Sequence, residues 1–241
     1  MEDDNGHHFN MLEINPEDIS LFETPRSIRL NEIYQYKIRN QGNNNSCVIN
    51  ATITLIEYIR QMQGLPFVIL STSFLYHFSS KENKTTKNGV KTISVIKSLL
   101  THGVCENKRW SSVFDVNIKP SCEALMEAIS RISNTTIEII PNSIDVIKYI
   151  IGYCKRPIVA VIPLNGDEFI FNHSVVFVGY NDDTETIIFQ NSYGEEWGDG
   201  GFGEFSYTDI NSIVNMFSMD ETCIKSFIFD EDYIVTKHIE K

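Results

Sequence analysis

Gln41-Gly42-Asn43-Asn44-Asn45-Ser46-Cys47 runs straight into a stretch with apolar residues at helical spacing. A cysteine there faces the unpaired N–H groups and the positive end of the helix dipole, and both favour thiolate over thiol. A thiolate is a nucleophile that needs a base and an electrophile. Gln41, six positions earlier, could donate an amide N–H to an oxyanion beside the N–H of Cys47. His173 heads the apolar run Ser174–Tyr180, and Asn191 opens a segment rich in glycine and aromatics that ends at Gly201. Each feature alone has a plainer meaning: a buried cysteine acting as a small apolar residue, a histidine with no task, aromatics in a core. Their order is Cys, His, Asn, with 126 positions from Cys47 to His173 and 18 from His173 to Asn191. The second interval suits a base and its orienting partner on neighbouring strands.

The elements that must position these residues fall into two groups. Val48, Ala51, Leu55, Tyr58, Ile59 and Met62 predict a helix over Cys47–Gln63, stopped by Gly64-Leu65-Pro66. Further helices are expected over Thr92–His102 (Ile93, Ile96, Leu99, Leu100), Ser121–Ile132 (Leu125, Ala128, Ile129) and Ser143–Tyr153, with Asp145 in the first turn. The second half changes to short β-branched or aromatic runs: Ile158–Leu164, Ser174–Tyr180, Thr186–Gln190, Gly201–Tyr207 and Ile224–Phe229. Helices followed by strands point to an α+β chain in two lobes, with the cleft between them as the ligand site. Residues 1–25 are acidic and weakly patterned and read as an extension.

Composition narrows the partners. The chain has 241 residues, 42% hydrophobic, with Lys+Arg 20 against Asp+Glu 32 and a net charge of −12. That apolar content excludes intrinsic disorder. No apolar run approaches the ~20 residues of a membrane helix. An acidic chain without a Lys/Arg cluster is not expected to bind nucleic acid or an anionic membrane. The five cysteines (Cys47, Cys105, Cys122, Cys154, Cys223) form no CxxC pair, so no metal site and no cofactor is expected. The acidic start has no apolar run behind it, so no signal peptide is read. Glycan acceptor patterns at Asn44, Asn50 and Asn172 surround the candidate centre, with others at Asn83 and Asn134. Glycans at the centre would block folding or activity, which points to an intracellular protein outside the eukaryotic secretory pathway.

The Cys-His-Asn order with these flanking residues resembles the papain-like cysteine peptidases. Gln41 with Ser46-Cys47 and Ala51 is similar to the family's nucleophile segment. His173-Ser174-Val175 with Val178-Gly179-Tyr180 is similar to its histidine strand. Asn191-Ser192-Tyr193-Gly194 with Trp197-Gly198 and Gly200-Gly201 is similar to its asparagine segment. Smaller matches are Leu70-Ser71, Phe74-Leu75-Tyr76, Gly89, His102-Gly103-Val104-Cys105 and Trp110. The likeness runs from about Ile28 to about Phe229 and is strongest to compact cathepsin B-like members of bacteria and large DNA viruses.

The resemblance implies a two-lobed papain-like fold. A helical lobe would span about 40–135 and an antiparallel, β-barrel-like lobe about 136–235, both inside a peptidase domain 26–241. It implies an endopeptidase with Cys47 as nucleophile, His173 as base and then acid, Asn191 orienting His173, and Gln41 in the oxyanion hole. Gly89, Val90, Asn172, Tyr193 and Trp197 fall at substrate-side positions, and Trp197 would also shield the Asn191–His173 bond from water. Asn44 stands where many relatives have a bridged cysteine, in keeping with a reducing compartment. Tyr193 replaces a tryptophan, Val90 a glycine and Val48 an aromatic. Relatives made as zymogens carry a long inhibitory segment before the nucleophile, whereas about 25 residues precede the match here. That acidic arm, including Glu13–Pro16 and Ile19–Thr24, is expected to rest on or near the cleft and tune access. Acidic charge at the mouth suggests peptides with Arg or Lys near the scissile bond. Two other classes share these features: a papain-fold module that binds without cutting, and a transglutaminase-like acyltransferase, which would usually have Asp in place of Asn191.

Overall fold

The computed structural model describes residues 9–11, 19, 22–82, 89–111, 115, 117–131, 137–165 and 170–219. Helix α1 (Cys47–Met62) is buried on every face from Val48 to Ile59, so it is a central helix and not a surface one with an apolar stripe. Its buried polar side chains have partners: Asn50 donates to Ser46 O at 2.9 Å and Thr52 to Val48 O at 2.7 Å. Helices α2 (Thr72–Glu82), α3 (Thr92–His102) and α4 (Cys122–Ser130) complete the helical lobe. In α3, Ile93 faces solvent while Val95 and Ile96 enter the core. In α4, Ile129 is exposed, and the small faces of Ala124 and Ala128 close on Phe74 and Cys105 in a second, smaller core.

Ser143 caps the short helix α5 (Ile144–Lys148), which runs on as one wide π-type turn, Tyr149–Tyr153. The β lobe is a sheet in the order β1-β3-β8-β4-β5-β6-β7. Its strands are β1 (Phe9–Met11), β3 (Ile137–Ile139), β4 (Ile158–Asn165), β5 (Ile170–Asn181), β6 (Thr186–Gln190), β7 (Phe202–Ser206) and β8 (Asn215–Met219). Pairing is antiparallel from β3 through β7, and β1 adds in parallel to β3. Strand β2 (Ser27–Arg29) pairs with the far end of β5, Gly179–Asn181. Helices followed by a largely antiparallel sheet, with α1 packed on that sheet, bear out the two-lobed α+β expectation.

The extension is also structural. Ile19 is buried in the main core, Phe22 packs tilted against Tyr149 and Tyr153, and Tyr180 donates to Pro25 O at 2.7 Å. Tyr180 lies seven residues along β5 from His173, about 23 Å at strand rise. The described part of Ile19–Thr24 therefore packs at the end of the β lobe away from His173, not on the cleft as expected. Glu13–Pro16, Ile224–Phe229, Asn83, Asn134 and Cys223 lie outside the described residues.

Candidate active site

Cys47 is the first residue of α1 and is half-buried. Ser46 before it is fully buried, and its side chain does not cap the helix. Its hydroxyl accepts instead from Asn50 Nδ2 at 3.1 Å. The N–H groups of the first turn are therefore left to favour negative charge on Sγ or on an incoming oxyanion.

His173 and Asn191 come from adjacent strands. His173 sits in β5 opposite Ile162 of β4, and Asn191 follows directly on β6, whose Gln190 pairs with Val176. Both side chains are buried. His173 Nε2 lies 2.8 Å from Asn191 Oδ1, which also accepts from the Ser192 N–H at 2.7 Å. A backbone N–H can only donate, so that Asn191 atom is the carbonyl oxygen, and Nε2 must carry the hydrogen. The other nitrogen, Nδ1, is left for Cys47, which is in hydrogen-bond contact with the His173 side chain.

The Cys47 thiol titrates below its ordinary value. Burial alone would raise it, but the hydrogen bond and charge of His173 and the bonds from the Ser174 backbone and hydroxyl outweigh burial. Cys105 behaves in the opposite way: burial, with Glu127 nearby, pushes it up to about 12. Cys122 and Cys154 are also unbridged. Geometry and acidity thus set Cys47 apart from Cys105 as the candidate nucleophile.

Gln41 is held against the same segment. Its N–H donates to Ser192 O at 2.9 Å, its Oε1 accepts from Ser192 Oγ at 2.6 Å, and its Nε2 donates to Asn44 O at 3.0 Å. The amide nitrogen is thereby turned toward the loop that leads into Cys47. Tyr193 lies against His173, with ring centroids 4.6 Å apart and the hydroxyl 3.2 Å from Nδ1. Trp197 stands edge-on behind Tyr193 at 5.9 Å. The Tyr193 ring thus lies over the histidine, with Trp197 as its support. Gly89, at φ +84°, lies against Asn45, two residues from the nucleophile. Val90 leans on the main core, and Asn172 is exposed beside His173. Glu195, Glu196 and Asp199 are exposed on the Tyr193 loop.

Several contributors are absent from the sequence reading as actors. Ser174 and Ser192 sit inside the matched segments, but their bonds to Cys47 and Gln41 depend on strand register. Arg39 and Glu57 form a buried ion pair at 2.5 Å, with Glu57 also accepting from the Leu70 N–H. Arg39 O accepts from the Gly194 N–H at 2.9 Å, and Asn40 bridges Tyr193. A segment charged and buried in this way fixes Gln41 and Tyr193 together. Among the described residues no cluster of His, Cys, Asp and Glu could hold a metal, and no helix is long and apolar enough to cross a membrane.

Residues 112–223, which include His173 and Asn191, match the model of the papain family cysteine proteases. The chain is 27% identical over 199 residues to an uncharacterized peptidase C1-like protein of Acanthamoeba polyphaga mimivirus, covering 69% of this chain and 63% of that protein. It is 24% identical over 182 residues to a KDEL-tailed cysteine endopeptidase of Arabidopsis thaliana, covering 69% of this chain and 49% of that one. The chain thus spans about half to two thirds of these relatives' lengths. Xylellain, a cysteine protease from Xylella fastidiosa, superposes with a TM-score of 0.76 at 21% identity, covering 91% of this chain and 94% of its own. The fold is papain-like, and the chain resembles the papain-like cysteine peptidases in sequence as well.

Proposed function

We propose that this papain-like chain is a cysteine endopeptidase of the cathepsin B-like type, hydrolysing peptide bonds through a Cys47 thiolate. One observation carries the reading: His173 is held between Asn191 on Nε2 and Cys47 on the other nitrogen, at the N-terminus of α1. The thiolate adds to the scissile carbonyl, and the oxyanion takes hydrogen bonds from the Cys47 N–H and Gln41 Nε2. The His173 imidazolium protonates the leaving amine, and a thioester remains on Sγ. Neutral His173 then takes a proton from water, whose oxygen attacks the thioester, and Sγ departs as thiolate. Asn191 keeps the ring in the orientation and tautomer both steps need.

The test is a fluorogenic dipeptidyl amide with wild type and Cys47→Ala. We expect hydrolysis in the first, its loss in the second, and labelling of Cys47 by an epoxide inactivator. Amine incorporation without hydrolysis would identify an acyltransferase, and silence in both proteins a binding module. Glu195, Glu196 and Asp199, exposed beside Tyr193, support a preference for Arg or Lys near the scissile bond. Turnover of a basic peptide should then fall as salt rises; a rate flat from low to high ionic strength excludes that preference. The burial of Asn50 against Ser46 supports an intracellular protein, since a glycan has no room there.

A further inference from the structure

We propose that the Tyr193 hydroxyl is a positioning group for His173 that binds the neutral imidazole at Nδ1 and so sets the alkaline limb of peptide hydrolysis. The inference rests on the peptidase reading above. Its starting point is the tautomer. Because Asn191 Oδ1 accepts from the Ser192 N–H, His173 Nε2 carries a hydrogen, and Nδ1 of the neutral ring is an acceptor. A tyrosine hydroxyl 3.2 Å away can donate to that acceptor. Once the ring is an imidazolium, Nδ1 carries a hydrogen aimed at Cys47, and the hydroxyl has nothing there to donate to. The bond therefore exists in one protonation state of the base and not in the other.

The hydroxyl is held in this place by the backbone. Asn40 bridges Tyr193, Gly194 N–H donates to Arg39 O at 2.9 Å, and Trp197 supports the ring edge-on. The ring itself lies over the imidazole at an interplanar angle of 32°. The titratable and charged groups around the pair are Cys47 on α1, the buried Arg39–Glu57 pair behind the strand that carries Asn40, and the exposed Glu195, Glu196 and Asp199 on the same loop. Burial, and then the Cys47 charge, push the Tyr193 hydroxyl's pKa up, so it stays a protonated donor through the working range. In the acyl-enzyme, sulfur is in the thioester and the imidazole is neutral. The hydroxyl then holds Nδ1 in line until a water O–H replaces it, gives its proton to Nδ1 and attacks the thioester.

The experiment compares kcat/KM against pH for wild type, Tyr193→Phe and Tyr193→Leu. The His173 ring titration is followed by carbon-detected NMR in a Cys47→Ala background, with and without Tyr193→Phe. Phe keeps the ring and removes only the hydroxyl. Loss of one hydrogen bond to the neutral form should move the alkaline limb up by about half to one pH unit in both variants, with the acid limb in place. The NMR midpoint should rise by a similar amount. An alkaline limb and a midpoint both unmoved in Tyr193→Phe, with a shift seen only in Tyr193→Leu, would overturn the proposal in favour of ring packing. Should the wild type fail to cleave peptides, the peptidase reading falls, and the NMR comparison still decides whether the hydroxyl binds neutral His173.

Discussion

At the scale of single residues, Cys47 and Cys105 show how environment divides one side chain into two chemistries. Both are withdrawn from water, and burial raises both. Cys47 has a cationic partner and donors from Ser174, whereas Cys105 has Glu127 nearby, and the signs of the net shifts differ accordingly. A base-paired thiol whose folded value lies below 9.0 keeps its thiolate as pH falls and loses it only on passing through that lowered value. We therefore expect iodoacetamide to alkylate Cys47 at lower pH in the wild type than in His173→Ala, as read by mass spectrometry of the labelled peptide. In His173→Ala the Cys47 curve should move to the alkaline side, because burial remains and the hydrogen bond and charge of His173 are gone. Equal pH profiles for Cys47 in the wild type and in His173→Ala would show that His173 does not activate the thiol.

At the scale of elements, the asparagine segment depends on one tight turn. Gly201 has φ +92°, and a Cβ there would come within 2.6 Å of the Ile38 side chain. Its carbonyl accepts the Asn191 N–H at 2.9 Å, so the turn stands directly behind the residue that orients His173. Gly201→Ala should cost about 1–3 kcal/mol from the left-handed backbone, with the clash added. We expect a lower denaturation midpoint together with a fall in kcat larger than the rise in KM, since Asn191 acts on the base and not on substrate. A variant with wild-type kcat would separate the turn from the asparagine's function. Legibility also varied by element. Helix α1 was readable because a turn-rich lead and Gly64-Leu65-Pro66 bracket it, and α3 because its apolar residues recur at helical spacing up to Gly103. Helix α2 was not, since Phe74, Leu75, Tyr76 and Phe78 form a run and not a stripe. Strands β3 and β8 were missed because three to five residues carry too little alternation to stand out.

At the scale of the whole molecule, the N-terminal residues belong to both lobes. β1 and β2 enter the sheet made by the second half, and Arg39 ties the strand leading to Cys47 into α1 through Glu57. A buried pair of this kind is strongly destabilising to break, because either partner alone is a charge without a counter-charge. Strand β1 runs parallel to β3, and β3 heads toward Asn142, whose side chain donates to Ile213 O near the Val161–Ser174 end of the sheet. Deleting residues 1–25 should cost about 3 kcal/mol, roughly 2 from Ile19 burial and 1 from the Tyr180–Pro25 bond, seen as a lower denaturation midpoint. A change in kcat/KM measured well below that midpoint is the expected sign of regulation. An unchanged value would leave the arm a purely structural part of the β lobe.

The sequence by itself determined the candidate nucleophile, base and orienter, the helix that carries the first, and the α+β order of elements. These are local facts: a cysteine entering an apolar helix, a histidine heading an apolar strand, an asparagine opening a glycine-rich turn. The tertiary structure decided what depends on register and approach. It chose Nε2 of His173 for Asn191 and the remaining nitrogen for Cys47, laid the Tyr193 ring over the imidazole, and brought Ser174 and Ser192 into the site. It also moved Ile19 and Phe22 away from the cleft. Each of these is a contact between segments far apart in the chain, fixed by strand pairing and core packing that no local pattern of residue types encodes.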